Sequence, residues 1–408
     1  MPSLPAFLSR ASRDRSGAAA IVFALSAMLV LGGVGLSIDG ARLYGVQHRL
    51  QQALDSAVLA AARRAATDGT TEQVEATFNS FFAATEVAQD IPIRSVVPDT
   101  SRPRRVWAGV VADVPMVLMP ILGFRTAEVR AQSMAEFGFT RLEIALALDN
   151  TGSMEGAKLD ALKQSALRLV DTLLSKGPGG DAVRFALVPF GQYVNVGVDR
   201  RGSTWLTVPP DDSSSTWNGC VGSRASPLNV QDSSYDARIP GIPNAFCPSP
   251  IQPLTSARSV LAAAIGDMVA TGATYIPAGV MWGWRVLSTG EPFSESAGDR
   301  TAPDGDRINK ILILMTDGAN TRSATFPGHD GTDTEAANQH TATACANAKA
   351  TGIGIYTIAF DVTDATVKAM LTSCASAPGR FFDASDSAQL DAAMQAIGQQ
   401  LSSLRLSN

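Results

Sequence analysis

Two apolar runs lie far apart in the chain, and each ends in an aspartate. Residues 146–148 precede Asp149, and residues 311–315 precede Thr316 and Asp317. Continuous apolar runs are typical of strands in a parallel sheet that helices cover on both faces. Ligands of such sheets bind beyond the carboxyl ends of the strands. The two runs therefore predict one polar site that both strand ends build.

From residue 141 onward, strand-like and helix-like segments alternate. Predicted strands cover residues 142–148, 183–190, 310–315, 353–360 and 380–382, and predicted helices cover 157–174, 256–269, 276–287, 334–351 and 387–401. This alternation predicts an α/β fold, a doubly wound and mostly parallel sheet, over residues 141–408.

One stretch, residues 199–253, interrupts the alternation with eight prolines and nine serines. Its composition predicts a long and mostly irregular insert. Long loops on compact domains are commonly functional, and this one carries aromatic residues. We therefore expect a folded loop that faces a partner through Trp205, Trp217, Tyr235 and Phe246.

Near the N-terminus, residues 17–38 contain no charged side chain. As a helix these 22 residues would extend about 33 Å, close to the thickness of a bilayer's hydrocarbon core. A cleaved signal peptide is the alternative, but the run is long for one and no A-x-A-like site ends it. We predict a membrane-spanning helix after a cytoplasmic tail, residues 1–16, because arginines at 10, 13 and 15 outnumber those at 42 and 49.

Between the predicted span and the α/β region, residues 39–140 show two different sequence patterns in succession. Apolar residues recur at three- and four-residue steps, which predicts that the helix continues to about Ala66. Residues 91–137 are β-branched and alternating, with prolines at 103, 115 and 120. We therefore expect an extracytoplasmic helix followed by a β-rich α+β stalk.

The net charge bears on the kind of partner, and the cysteines bear on the cellular compartment. The net charge is -5 and no basic stripe follows the N-terminal arginines, which argues against a nucleic-acid partner. The four cysteines lack close C-x-x-C pairing, which favours two sequential disulfides in an oxidising compartment. Four buried free thiols in a reducing cell are the alternative. The cysteines are Cys220, Cys247, Cys345 and Cys374.

The residues at the strand ends have the chemistry of a metal site. Asp149, Thr151, Ser153 and Asp317 offer carboxylate and hydroxyl oxygens. Such hard donors suit Mg²⁺, with Mn²⁺ or Ca²⁺ as alternatives, better than zinc or iron.

The run Asp-Asn-Thr-Gly-Ser at 149–153 resembles the D-x-S-x-S motif of von Willebrand factor type A domains, with threonine in the middle position. Thr274, ahead of a predicted helix, and Asp317, in Thr-Asp-Gly, match the rest of that family's metal-ion-dependent adhesion site. The resemblance implies a Rossmann-like fold, metal ligands at Asp149, Thr151, Ser153, Thr274 and Asp317, and an open position that takes a carboxylate from a protein partner.

Residues 15–25, 37–44 and 50–57 resemble the N-terminus of TadG-like proteins of the bacterial tight-adherence (Flp) pilus-assembly system. That resemblance implies a single-pass protein of the bacterial cytoplasmic (inner) membrane with a periplasmic or extracytoplasmic C-terminal domain. Its partners would then be pilus or envelope components. Related pseudopilins carry a glutamate where this chain has Val22, five residues after Gly17, so we expect an uncleaved anchor.

The motifs together favour a non-enzymatic role in pilus assembly or cell adhesion. The chain has no H-E-x-x-H pattern and no G-x-x-x-x-G-K-[ST] loop. A metal-dependent hydrolase is one alternative, although it needs a general acid or base besides the two aspartates. A type A adaptor of an ATPase machine is another, and the predicted span and cysteine pairs argue against it.

Overall fold

The computed structural model describes residues 18–66, 70–100, 105–136, 140–175, 182–297 and 307–406. The chain forms two compact units, Met1–Phe137 and Gly138–Asn408. The predicted cytoplasmic tail, residues 1–16, lies outside the described residues.

In the first unit, helix α1 (Ala18–Ala66) runs without a break to the residue at which the sequence predicted its end. Helices α2 (Thr71–Ala83) and α3 (Glu86–Asp90) follow, and the sequence analysis missed both. Helix α2 begins with a capping box, in which Thr70 and Gln73 exchange side-chain and backbone hydrogen bonds.

Three antiparallel strands complete the first unit: β1 (Ile93–Asp99), β2 (Arg105–Pro115) and β3 (Thr126–Glu136), in the order β1-β2-β3. Every second side chain of β2 is buried, as expected of a sheet with one covered face. That face packs in one core with Leu50, Leu54 and Val58 of α1 and Phe78 of α2. This core stabilises the half of α1 that follows the apolar stretch.

The first half of α1 is long and apolar enough to cross a membrane, judged by length and composition. Its most apolar 18-residue window has a mean hydropathy of 2.3, and only 6% of that window is buried within the protein. Phe23 and Leu29 are 76% and 79% exposed. A core helix of a water-soluble domain would bury such side chains.

The second unit is built on a sheet of six strands: β4 (Thr140–Asp149), β5 (Val183–Phe190), β10 (Gln252–Thr255), β11 (Arg307–Thr316), β12 (Gly354–Phe360) and β13 (Phe381–Ala384). Their order in the sheet is β10-β5-β4-β11-β12-β13. Five of these strands are parallel, and β10 at the edge is antiparallel to its neighbour. The predicted doubly wound, mostly parallel sheet is thus confirmed.

Helices cover both faces of this sheet. The helices are α4 (Ala157–Ser175), α5 (Arg258–Gly266), α6 (Ile276–Arg285), α7 (Thr334–Ala350), α8 (Ala365–Cys374) and α9 (Ser387–Leu406). One face buries odd-numbered β4 residues such as Ala145 against α6, α7 and α8, and the other buries even-numbered ones such as Leu146 against α4, α5 and α9. Burial on both faces explains why the strands are mainly apolar. The sequence analysis missed α8.

The insert is ordered by two small pairs of strands and a disulfide. β6 (Val194–Asn195) pairs with β8 (Cys220–Val221), and β7 (Leu206–Thr207) pairs with β9 (Ile239–Pro240). The two expected disulfides are present: Cys220 is bonded to Cys247 within the insert, and Cys345 of α7 to Cys374 of α8.

The structure corrects the expectation that the insert's aromatic residues face a partner. Trp205 and Trp217 are each only 3% exposed, and they join the core on one face of the sheet. Tyr235 is partly buried against the same core, and only Phe246 is exposed, at 70%. Hydrophobic burial therefore accounts for three of the four aromatic residues, because they anchor the insert to the domain.

Candidate metal centre

The two aspartates lie at adjacent strand ends. Strands β4 and β11 are parallel neighbours, with Leu148 opposite Met315, so Asp149 and Asp317 leave the sheet side by side. Asp149 is completely buried, and the side chain of Asp317 is 1% exposed. The register of one strand pair therefore brings together two carboxylates that are distant in sequence.

A chain of hydrogen bonds joins these carboxylates through two hydroxyl groups. The amide and hydroxyl of Thr151 donate to Asp149 Oδ1 at 3.0 and 2.6 Å. Thr151 Oγ1 lies 3.0 Å from Ser153 Oγ, which donates to Asp317 Oδ1 at 2.6 Å. A short 3-10 turn, Gly152–Met154, places Ser153 close enough for this contact. We call Asp149, Thr151, Ser153 and Asp317 the strand-end cluster.

Thr274, the fifth predicted ligand, lies in the neighbouring loop before α6. The amide of Gly152 donates to Gly272 O at 3.0 Å, which holds this loop against the cluster. The amide of Thr274 donates to Thr321 Oγ1 at 2.9 Å, and Thr274 is 5% exposed. Among the described residues, no hydrogen bond joins its hydroxyl to the strand-end cluster. The structure therefore brings four of the five residues into one hydrogen-bonded group and places Thr274 in the adjacent loop.

Burial and charge act on Asp149 in the same direction. Burial, with a smaller contribution from the charge of Asp317, raises the pKa of Asp149 to about 6. Hydrogen bonds from Thr151 and Thr316 oppose the rise, and Thr316 Oγ1 donates to Asp149 Oδ2 at 2.6 Å. The ionised form of Asp149 is therefore poorly compensated by its surroundings.

Two residues that the sequence analysis missed extend the cluster. Lys158 Nζ on α4 lies 3.1 Å from Asp317 Oδ2 and 2.9 Å from Asp361 Oδ2. Burial alone would lower the pKa of Lys158, but its hydrogen bonds to Asp361 and Asp317 raise it. Asp361 directly follows β12, so the pattern of an apolar strand ending in aspartate would have identified it too.

The insert lies against the loop that carries the predicted ligands. Asn150 Nδ2 donates to Ser249 Oγ at 3.0 Å and to Val269 O at 2.5 Å. Ser249 lies two residues after Cys247, so the insert's disulfide constrains the segment that contacts Asn150. The sequence could not place this contact, because it depends on how the insert folds back.

The donor set fits a hard divalent cation. Three carboxylates, Asp149, Asp317 and Asp361, share one ammonium group, Lys158, which leaves two negative charges when all of them are ionised. The hydroxyls of Thr151 and Ser153 supply neutral oxygens at the same place. Among the described residues, no group of three or more His, Cys, Asp and Glu side chains is arranged to hold a metal. A cation here would therefore rely on hydroxyl ligands besides carboxylates, as Mg²⁺ sites allow and structural zinc sites do not.

Residues 269–396 match the model of the von Willebrand factor type A domain family, and the doubly wound, mostly parallel sheet is the fold of that domain. The matched residues include Thr274 and Asp317, whereas the Asp149–Ser153 motif precedes the insert and lies outside them. Residues 17–64 match the model described as putative Flp pilus-assembly TadE/G-like. The chain thus joins a TadE/G-like segment to a type A domain, which confirms both resemblances.

Solved structures with similar folds include two pilus proteins and a mussel protein. SpaC, a pilus adhesin from Lactobacillus rhamnosus GG, is 13% identical with a TM-score of 0.42, and the match covers 77% of this chain and 34% of SpaC. The vWF domain of the type V pili tip protein Mfa5 from Porphyromonas gingivalis is 15% identical with a TM-score of 0.42, covering 65% of this chain and 97% of that one.

The third is proximal thread matrix protein 1 from the mussel byssus, with zinc in its MIDAS motif. It is 16% identical with a TM-score of 0.36, and the match covers 65% of this chain and 46% of that one. This chain spans about a third of SpaC. No curated protein matches the sequence.

Proposed function

We propose that this chain is a membrane-anchored, non-enzymatic component of tight-adherence (Flp) pilus assembly or surface attachment. Its type A domain binds a divalent cation, which in turn binds a carboxylate of a protein partner. The observation that carries the proposal is the chain of hydrogen bonds from Asp149 through Thr151 and Ser153 to Asp317. It unites oxygen donors from two strands at the edge where parallel sheets bind ligands.

Mg²⁺ is the proposed ion, with Mn²⁺ or Ca²⁺ as alternatives, and it would supply a positive centre for a partner's acidic group. Asp149, Thr151, Ser153, Thr274 and Asp317 would hold it. Two carboxylates and three neutral hydroxyls leave a divalent ion able to accept an outside anionic ligand. Thr316 would orient Asp149 by its hydrogen bond to Oδ2.

A single-pass topology accompanies this role. Residues 1–16 would lie in the cytoplasm, 17–38 would cross the inner membrane, 39–140 would form a stalk, and 141–408 would be the periplasmic or extracytoplasmic domain. The exposed apolar surface of α1 supports the span. The disulfides Cys220–Cys247 and Cys345–Cys374 support an oxidising compartment for the domain.

The alternative of a metal-dependent hydrolase lacks support from the neighbours of the cluster. Hydrolysis needs a general acid or base besides the residues that would hold the ion. Lys158 is the described cationic neighbour, and its raised pKa keeps it protonated at neutral pH. The other contacts of Asp149 and Asp317 are hydroxyl and amide groups. An ion here would therefore act as a docking point for a partner.

The test is chemical crosslinking in intact cells that express the full chain, followed by capture with and without a chelator. We expect the native chain to capture a protein partner only when divalent ions are present, and Asp317→Asn to capture none. Asp160→Asn makes the same charge change at an exposed site on α4 and serves as the matched control. Equal capture by Asp317→Asn, or capture that the chelator does not reduce, would refute the proposed docking role.

A further inference from the structure

We propose that the loop between β2 and β3, residues 116–124, inserts into the same lipid bilayer that the apolar part of α1 crosses. This inference rests on the membrane anchor of the proposed function and adds a second embedded element to it. The loop sequence is Met-Val-Leu-Met-Pro-Ile-Leu-Gly-Phe, without a charged, hydroxyl or amide side chain. Val117, Ile121 and Phe124 are 57%, 74% and 60% exposed. Such a contiguous apolar surface calls for a partner.

The loop lies along the apolar segment of α1. Two glycines of α1 make room for it: a Cβ atom built on Gly35 would lie 3.2 Å from Leu118 Cβ, and one on Gly32 would lie 3.4 Å from Leu122 Cδ1. A cleft of about 200 Å³ continues between the two elements. Apolar side chains line it, from α1 Ala24, Met28 and Leu31, and from the loop Leu118, Ile121 and Leu122.

These contacts set how deep the loop reaches. Asp39 is the first charged residue after the apolar stretch, and Gly32 lies seven residues before it on the same helix. At about 1.5 Å per residue, the contact with Gly32 is about 10 Å along the helix from Asp39. Half of a hydrocarbon core is about 15 Å thick. If α1 crosses the bilayer, the loop therefore enters the hydrocarbon and extends past the headgroups.

The loop's amide groups are hydrogen-bonded, as a lipid environment requires. An unsatisfied amide or carbonyl group in hydrocarbon costs several kcal/mol. The carboxylate of Asp39 accepts hydrogen bonds from the amides of Val117, Leu118 and Met119 at 2.9, 2.9 and 2.8 Å. The amides of Ile121, Gly123 and Phe124 donate to the loop carbonyls of Leu118, Pro120 and Met119. Pro120 has no amide hydrogen. The loop therefore presents apolar side chains, while these six amides are paired within the protein.

Polar groups mark where the embedded part ends. Asp39 is 1% exposed because the loop covers it, and Arg42, one turn further along α1, donates to Pro115 O at 3.0 Å. Arg125 follows the loop directly. Ile121 lines the same cleft as Met28 of α1, which is 56% exposed, so the apolar surface of the loop adjoins the exposed apolar surface of α1. This continuity identifies lipid as the occupant, because the same bilayer would cover both surfaces.

The experiment places tryptophan at four exposed apolar positions of the full chain, one in each variant. The chain is reconstituted in vesicles of phosphatidylcholine and phosphatidylglycerol that contain brominated phosphatidylcholine, which quenches tryptophan only in contact with acyl chains. Ile121→Trp tests the loop, Leu29→Trp reports the anchor, and Val97→Trp on β1, which is 55% exposed, is the matched control. Phe124→Trp is a second loop variant that conserves an aromatic ring. The emission of the unmodified chain is subtracted.

We expect quenching of Ile121→Trp and Leu29→Trp to exceed that of Val97→Trp by about threefold or more, because their rings lie in the hydrocarbon. If Leu29→Trp is quenched and both loop variants are not, the loop inference is wrong and the anchor stands. If none is quenched, the anchor itself is wrong. Equal quenching of Val97→Trp would show surface adsorption and overturn the inference. Unquenched loop emission that shifts with the protein-to-lipid ratio would assign the loop to a second copy instead.

Discussion

The two ends of the central strands of the type A domain carry contrasting charged groups. At the amino-terminal end, Glu143 lies between Arg184 and Lys310, its register partners on β5 and β11. At the carboxyl-terminal end, Asp149 and Asp317 share Lys158 with Asp361. The first group has more cations than carboxylates, and the second has three carboxylates for one cation.

The two ends also differ in how fully hydrogen bonds and opposite charges satisfy their charged groups. Glu143 accepts from Arg184, from Ser296 Oγ at 2.7 Å and from the amide of Ala297 at 3.0 Å. Lys310 Nζ donates to Ser296 Oγ and to the carbonyls of Leu287 and Ala297 at 2.7 to 3.0 Å. The amino-terminal group is thus complete without a ligand. The strand-end cluster retains excess negative charge, and a divalent ion would balance it.

The largest expected effect is on the amino-terminal group. Glu143→Leu leaves Lys310 and Arg184 without their carboxylate in a buried place, which we expect to lower the free energy of unfolding by about 3–5 kcal/mol. Urea unfolding of the full chain in detergent, followed by the fluorescence of buried Trp282, measures it. Adding Lys310→Met to Glu143→Leu should restore much of the loss. A loss below about 1 kcal/mol would contradict the view that the group is a mutually dependent unit.

The second-largest effect is expected when the pH is changed in the absence of metal, because the free energy of unfolding then depends on the protonation of Asp149. The pKa of Asp149 is raised from 3.8 to about 6 in the folded protein, so the folded state binds this proton more tightly than the unfolded state. The contribution of Asp149 to stability is therefore greatest below about pH 4 and falls by about 3 kcal/mol as the pH rises through 6. To isolate this contribution, the free energies of unfolding of the native chain and of Asp149→Asn are measured in chelator over a range of pH, and their difference is compared. A difference independent of pH would count against this prediction.

A somewhat smaller effect is expected from adding the ion. At about 100 times its dissociation constant, Mg²⁺ should raise the free energy of unfolding of the native chain by about 2.7 kcal/mol at neutral pH. Asp149→Asn and Asp317→Asn should show no gain, and Asp160→Asn should show the full gain. Thermal unfolding with and without Mg²⁺ measures it. Equal stabilisation of all four proteins would place the ion elsewhere.

The smallest effect concerns the lysine of the strand-end cluster. Lys158→Met removes the cation that contacts Asp317 Oδ2, so a divalent ion no longer competes with it. We expect Mg²⁺ to bind about fivefold more tightly, which corresponds to about 1 kcal/mol. Calorimetric titration measures the affinity, with Lys163→Met on the same helix as the control. Unchanged or weaker binding would show that Lys158 supports the site instead of competing for it.

Much of the domain was predictable because its strands are covered on both faces. The predicted strand at residues 183–190 matches β5, and the two strands ending in aspartate are adjacent in the sheet. Strand β10 was missed because it lies at the end of a proline-rich segment and has only four residues. Helix α2 was missed although its capping box, Thr70 with Gln73, is visible in the sequence.

The site was predictable only in part. Asp149, Thr151, Ser153 and Asp317 form one hydrogen-bonded group, as motif and strand ends together suggested, while their binding of metal stays a prediction. The contact of Lys158 with Asp361 depends on β12 lying next to β11, which is a property of the sheet order. Likewise, the burial of Trp205 and Trp217 depends on the path of the insert. Local sequence patterns do not contain such non-local information.

The residues of the strand-end cluster are far apart along the chain, and this separation determines at which stage of folding the cluster forms. The disulfides close loops of 27 and 29 residues, whereas the contact between Ser153 and Asp317 joins residues 164 positions apart. Short loops lose less entropy on closing, so the distant contact requires most of the domain to have assembled. A nascent or truncated domain therefore lacks the cluster. Any partner that depends on this contact would distinguish finished molecules from unfinished ones.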